Sequence, residues 1–330
     1  ANAVSSIISK SETASKISSI INKPIEELVK SLSKPNDLYE LLVYKASEDQ
    51  VNQIKNLNLK GIYIKNELLR FYPFGEKAAH ILGFVGPSQN DDTSSGRYGI
   101  EAYFNDLLAG KPGKIEGDVI TQPIDGSDLF LTIDPNIQVQ AEEILKSLIE
   151  NYRATGGTII VEEPKTGKIL AMTNYPTFNP NEYQKHKLAD FLNPAVQSVY
   201  EPGSVFKLFT MASGIDSNKI TPQTTYVDTG SVTFNGRTIQ NFELKVYGKQ
   251  TMTNVIENSI NTGAVFAERQ TGHNIFYQYL KKFGLDEKTG ITLPGEVKGN
   301  LNNLVNGRDI NYATASFGQG VAVTPIELIN

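Results

Sequence analysis

The chain lacks cysteine and tryptophan altogether, and it has only three histidines and three methionines in 330 residues. Without cysteine there is no disulfide, no thiolate nucleophile and no Cys-based metal site. That composition suits a cell-exterior protein without identifying one. His80, His186 and His273 stand apart in the sequence and match no metal-ligand spacing such as H-E-x-x-H. Each reads as an ordinary surface or core imidazole, so no metal is expected and a nucleophile here should rely on another base. No apolar run approaches the ~20 residues of a membrane span, and no signal-peptide pattern opens the chain. The first residue is Ala1 rather than Met, which predicts a start inside a longer precursor. A large charge excess is missing too. The formal net charge is −5, with positive residues scattered and no basic-aromatic stripe, which argues against nucleic acid as a partner.

What is present is ordinary for a globular chain: 39% hydrophobic and 20% charged residues, in a length that suits two domains. Residues 5–60 are expected to be helical and polar, with Ser33-Lys34-Pro35-Asn36 as a turn. Gly61–Lys65 reads as a short strand and Arg70–Gly75 as a loop. Asn90–Gly96 reads as an exposed loop, Tyr98–Leu108 as helical and Gly110–Gly117 as flexible. A composition shift at Asp125-Gly126-Ser127-Asp128 sets a domain boundary near residue 127. Beyond it, Leu129–Ile133 is expected as a strand, and Asp134-Pro135 should open a helix with Ile137, Ala141, Ile144, Leu145 and Leu148 on its apolar stripe. Gly157–Glu162 and Lys168–Met172 should form a hairpin about Pro164-Lys165-Thr166-Gly167.

The segment Tyr200-Glu201-Pro202-Gly203-Ser204-Val205-Phe206-Lys207 carries the strongest chemical signal. Pro-Gly breaks the chain, and Val205, Phe206, Leu208 and Phe209 then suit a buried helix. A serine at a helix mouth sits near backbone N–H groups that can stabilise an oxyanion. Lys207, one turn on, shares the face of Ser204, and desolvation beside Val205, Phe206 and Leu208 would make it a base for the hydroxyl. The competing interpretation is a plain serine cap with a solvated lysine. Ser259-Ile260-Asn261 offers a hydroxyl to relay a proton and an amide to hold a carbonyl; alone it is equally a polar turn. S-x-x-K followed by S-x-N is the known order of penicillin-recognising serine enzymes.

The surrounding sequence resembles a class B penicillin-binding protein, a peptidoglycan D,D-transpeptidase, well beyond these motifs. Leu131-Thr132-Ile133-Asp134 with Gln138, Pro164–Met172, Pro176–Asn181 and Asn193–Val196 are similar to that family's catalytic domain. Arg70–Pro73, Ala78-Ala79-His80 and Gly99-Ile100-Glu101 are similar to its non-catalytic pedestal. The resemblance implies an α+β fold: an elongated pedestal over residues 1–127, then over 128–330 a transpeptidase domain with an antiparallel sheet flanked by helices. Lys288-Thr289-Gly290 mimics the family's third motif, K-T-G, but it precedes Ser316–Gly320 instead of following it, so it is taken as a decoy. The functional strand is expected beyond Asn330, which would leave the hairpin at residues 157–172 with an open edge.

By the same resemblance Ser204 attacks a D-Ala–D-Ala bond, Lys207 is the acylation base, Ser259 relays a proton and Asn261 binds substrate, with no cofactor. Stem peptides and β-lactams are the implied ligands. A membrane glycosyltransferase and division or elongation proteins are the implied partners, at the extracytoplasmic face of a bacterial membrane under an N-terminal anchor outside this chain. A serine β-lactamase, a β-lactam sensor and a catalytically silent scaffold are the alternatives.

Overall fold

The computed structural model describes residues 9–34, 39–44, 46–65, 69–87, 94–116 and 119–330. The chain divides into two compact units, Ala1–Leu69 and Arg70–Asn330.

The first unit is helical, as its sequence predicts. Helix α1 (Lys10–Ile21) begins where the Ser9 hydroxyl accepts from the Glu12 amide, and α2 (Ile25–Ser31) follows Pro24. Helix α3 (Glu48–Asn56) opens with a reciprocal capping box between Ser47 and Gln50. Ala14, Ile17, Leu28 and Leu32 form its small core. Of the expected turn at residues 33–36, Pro35 and Asn36 lie outside the described residues. Gly61–Lys65 is not a strand. Among the described residues no strand lies beside it to take its backbone N–H and C=O groups, and Tyr63 is 70% exposed while Ile62 turns to the core.

The second unit opens with the expected loop at Arg70–Gly75, then α4 (Ala79–Leu82). Strands β1 (Val85–Pro87) and β2 (Ser94–Gly96) pair antiparallel, so the end of the expected 90–96 loop is a strand; residues 90–93 lie outside the described ones. The helical stretch at 98–108 holds as α5 (Gly99–Tyr103) and α6 (Asn105–Leu108), broken at Phe104. The segment expected to be flexible contains β3 (Lys114–Glu116), paired with β4 (Val119–Thr121); Gly117 lies outside the described residues.

Helix α7 (Pro135–Tyr152) starts as predicted, the Asp134 carboxylate accepting from the Asn136 and Ile137 amides. Its buried face is Gln138, Ala141, Leu145 and Ile149, whereas Ile144 and Leu148 are exposed. The expected stripe is rotated because Gln138 turns inward: its amide donates to the Met172 carbonyl (3.0 Å) and accepts from the Met172 N–H (2.9 Å). Those two groups lie on the predicted hairpin, β5 (Gly157–Glu163) and β6 (Lys168–Tyr175). Leu129–Ile133 does not join it as a strand. The edge of β6 is already taken by Gln138, and the segment offers only the Thr132 hydroxyl to the Ile169 carbonyl, followed by the Asp134 N–H to Leu170. Phe130 is left 96% exposed.

Helix α8 (Pro194–Gln197) packs on the hairpin through Ala195 and Val196 in a core shared with Met172, Leu293 and Ile326. Beyond the Ser204 turn come α9 (Lys207–Asp216), β7 (Thr225–Asp228), the β8–β9 hairpin (Ser231–Phe234 and Arg237–Gln240) and β10 (Gly248–Thr251), which pairs with β7. Helices α10 (Met252–Glu257), α11 (Asn261–Thr271), α12 (His273–Lys282), α13 (Asp309–Ala315) and α14 (Pro325–Ile329) complete the unit. Helices thus surround antiparallel ladders, the expected α+β class, although among the described residues each ladder has only two strands.

Candidate active site

The S-x-x-K segment is held from two sides. Tyr200 exchanges backbone hydrogen bonds with Val323 (both 3.0 Å), Gly203 N–H donates to the Gly318 carbonyl (3.1 Å), and the Glu201 carboxylate accepts from the Gly320 N–H (2.9 Å). Phe206 is fully buried in a core with Phe276, Leu280 and Val323, a burial worth about 1.5–3 kcal/mol. Residues 203–206 form a 3-10 turn before α9. In a 3-10 turn residues i and i+3 eclipse, so Ser204 and Lys207 come to the same face. Val205 and Leu208 are exposed (51% and 61%), contrary to the buried helix expected, since the core-facing positions of this turn and of α9 are Phe206, Thr210 and Met211.

Lys207 is only 2% exposed. Its Nζ lies 3.1 Å from Ser204 Oγ, 3.0 Å from Ser259 Oγ, 2.7 Å from the Ser259 carbonyl and 2.8 Å from Asn261 Oδ1. These are four oxygens against the three hydrogens of an ammonium. The two carbonyl-type oxygens can only accept, so each takes an N–H. A neutral amine then has one lone pair left, which can accept from one of the two hydroxyls. Burial drives Lys207 toward that neutral form, lowering its pKa to about 8.

Ser259 joins α10 to α11 with φ 53, a left-handed conformation costing a non-glycine residue about 1 kcal/mol or more. Buried Ile260 next to it, whose N–H donates to Val255, holds the turn closed. Asn261, first residue of α11, spends one amide hydrogen on the Gln240 carbonyl (3.0 Å) and keeps the other. All four predicted residues, Ser204, Lys207, Ser259 and Asn261, therefore meet at one amine. What the sequence did not single out is the layer behind them: Gln240, Asn241, Thr262 and the buried carboxylate of Asp228. Its only local signal was Asp228-Thr229-Gly230, a turn in which the Gly230 N–H caps the carboxylate.

The remaining candidates lie elsewhere. Lys288 is exposed, and the Thr289 and Gly290 N–H groups and the Thr289 hydroxyl all donate to Glu296 in a loop, not on a strand. His80 is buried with a ring nitrogen 3.0 Å from the Asp190 carbonyl and a pKa lowered to about 4 by burial. His273 lies between Glu268 (2.7 Å) and Asp309 (3.1 Å). Among the described residues no set of acidic and histidine side chains is arranged to hold a metal, and no helix is long and apolar enough to cross a membrane.

The chain is 33% identical over 335 residues to stage V sporulation protein D of Bacillus subtilis, covering 96% of this chain and 51% of that protein. It is 28% identical over 324 residues to peptidoglycan D,D-transpeptidase FtsI of Escherichia coli, covering 94% and 54% respectively. It therefore spans about half the length of these relatives. Among solved structures it is similar to penicillin-binding protein 3 of Mycobacterium tuberculosis in complex with aztreonam, with TM-score 0.70 and 30% identity over 79% of this chain and 56% of that one. Residues 3–122 match the penicillin-binding protein dimerisation domain. With residues 157–330, which carry the whole serine–lysine cluster, matching the penicillin-binding protein transpeptidase domain, the chain belongs to the penicillin-binding protein transpeptidase family.

Proposed function

We propose that this protein is a serine D,D-transpeptidase that cross-links peptidoglycan stem peptides and is acylated by β-lactams at Ser204. The observation that carries the proposal is the buried Lys207 amine, 3.1 Å from Ser204 Oγ and, among the described residues, without a carboxylate to hold its proton. The Ser204 proton passes to Lys207 as Oγ attacks the carbonyl of the penultimate D-Ala. The C–N bond to the terminal D-Ala then breaks, and the leaving amine takes a proton relayed through Ser259. A neighbouring stem-peptide amine attacks the ester, and its proton returns to Ser204. Two moderate steps through an acyl-enzyme replace one difficult aminolysis. The free amide hydrogen of Asn261 is available for a substrate carbonyl. Relatives named as D,D-transpeptidases, and one solved with aztreonam, support both the reaction and the inhibitor class.

In this proposal residues 1–127 form a non-catalytic pedestal and 128–330 the transpeptidase domain. The protein works at the extracytoplasmic face of a membrane under an N-terminal anchor, beside a membrane glycosyltransferase and division or elongation proteins. Lys288 has no part in the chemistry, because its loop is built around Glu296. The test is release of D-Ala from a synthetic stem pentapeptide by the intact protein, with and without an amine acceptor. D-Ala release with capture of the acceptor, abolished in Ser204→Ala, is expected. Release unaffected by Ser204→Ala would end the proposal, and rapid β-lactam turnover without transfer would favour a β-lactamase.

A further inference from the structure

We propose that Asp228 is a positioning residue for the reaction, a buried carboxylate that sets the Asn261 amide against Lys207 by anchoring the start of α11. The proposal rests on the assignment of Ser204 as the acylated serine.

Asp228 ends β7 and is 2% exposed. No ion pair involves it among the described residues; neutral donors hold its charge instead. Oδ1 accepts from the Thr262 hydroxyl (2.6 Å) and the Gly230 N–H (3.0 Å), and Oδ2 accepts from the Tyr247 N–H (2.8 Å). The Asn241 side-chain amide donates toward both oxygens (3.1 and 2.9 Å). Burial pushes the carboxyl pKa up, but the hydrogen bonds from Thr262, the Tyr247 and Gly230 amides and Asn241 outweigh it and hold the group below the usual carboxylate value.

The need for this arrangement lies in the sequence of α11. Its N-cap residue is Ile260, which has no side-chain acceptor for the helix's first amides. The missing cap comes from outside: Asn241 Oδ1 accepts from the Thr262 N–H (3.1 Å), while Asp228 brings a negative charge to the positive end of the helix. Asn241 thus bonds the helix through its oxygen and Asp228 through its nitrogen. Beside it, the Gln240 carbonyl takes the Asn261 Nδ2 hydrogen. The Asn261 amide is therefore gripped at both ends, its nitrogen by Gln240 and its oxygen by Lys207. Losing the Asp228 carboxylate leaves the Asn241 side-chain nitrogen only the Lys245 carbonyl (3.0 Å) and the Thr262 hydroxyl only the Tyr226 hydroxyl (3.3 Å), which loosens one of the two grips on Asn261.

The experiment measures acylation of the intact protein by a fluorescent penicillin, resolving the first-order acylation step from the preceding non-covalent binding. Asp228→Asn keeps the shape but turns a donor toward donors. It should slow the acylation step about 10- to 100-fold, the scale of a lost hydrogen bond to a charged group, with non-covalent binding unchanged. Thr262→Val should slow the same step, and Thr262→Ser, which keeps the hydroxyl, should restore it. The Thr262 pair decides the matter should Asp228→Asn not fold. A lower melting temperature with an unchanged acylation step per folded molecule would reduce Asp228 to a purely structural group and overturn the proposal. Exchange protection of the Asn261 side-chain amide, read by NMR, needs no acylation. Protection lost in Asp228→Asn and Thr262→Val but kept in Thr262→Ser supports the proposal even if penicillin fails to label the wild type, a result that would fault the serine assignment alone. Protection unchanged in Asp228→Asn overturns it.

Discussion

At the residue scale the decisive feature is one amine among four oxygens. An ordinary lysine is almost wholly protonated at neutral pH, but burial brings Lys207 down to about 8. Only the neutral form can take the Ser204 proton. Raising the pH through about 8 should therefore raise the acylation rate toward a plateau, and lowering it should cost about tenfold per pH unit. A rate flat from pH 6 to 9 would remove Lys207 as the base. The four residues that meet at this amine were legible in the sequence, because S-x-x-K and S-x-N are short, local patterns: the 3-10 turn brings Ser204 and Lys207 to one face, and the tight turn at Ser259 holds Ser259 and Asn261 close together. The exposure of Val205 and Leu208 was not, since an apolar residue beside a buried one is buried only if its own side of the turn meets the core. Asp228 was equally hidden: it bonds Thr262, 34 positions away, and nothing local marks that contact.

At the scale of elements, the 3-10 turn bearing Ser204 depends on a loop more than a hundred positions later. Gly318 has φ 77, and a Cβ there would lie 2.2 Å from the Gly203 carbonyl oxygen and 2.6 Å from its nitrogen. Backbone cannot give way as a flexible side chain does. Gly318→Ala should lower the melting temperature and slow acylation about tenfold or more by displacing Gly203. Gly167→Ala provides the comparison, because Gly167 is also left-handed (φ 69) but meets nothing within 4 Å. It should lose about 1–2 kcal/mol of stability, the left-handed cost alone, with acylation unchanged. Equal acylation in both variants would mean that the 318–203 contact does not position the serine. Elements with their own start signals, such as α7 and the β5–β6 hairpin, were legible. Leu129–Ile133 failed because strand pattern alone does not create a free edge, and Gln138 had already occupied the edge of β6. Strands β2 (Ser-Ser-Gly) and β3 (Lys-Ile-Glu) are three residues long and mostly weak strand formers, which is why 90–96 reads as a loop and 110–117 as flexible.

At the scale of the whole molecule, the two units differ in the depth of their cores. The unit ending at Leu69 buries Ala14, Ile17, Leu28 and Leu32, whereas the larger one holds several apolar clusters around α9 and α11. Small cores bury less surface for each ordered residue and open at lower cost. Under increasing denaturant, hydrogen exchange should release α1–α3 as one group before the amides of α9 and α11; simultaneous release would mean a single cooperative unit. Ser204 is the residue on which the chemistry turns, and peptide mapping by mass spectrometry after treating the intact protein with benzylpenicillin interrogates it without intermediaries. One penicilloyl adduct, confined to the peptide bearing Ser204 and absent from Ser204→Ala, is the predicted result. An adduct on any other residue, with Ser204 unmodified, would contradict the account.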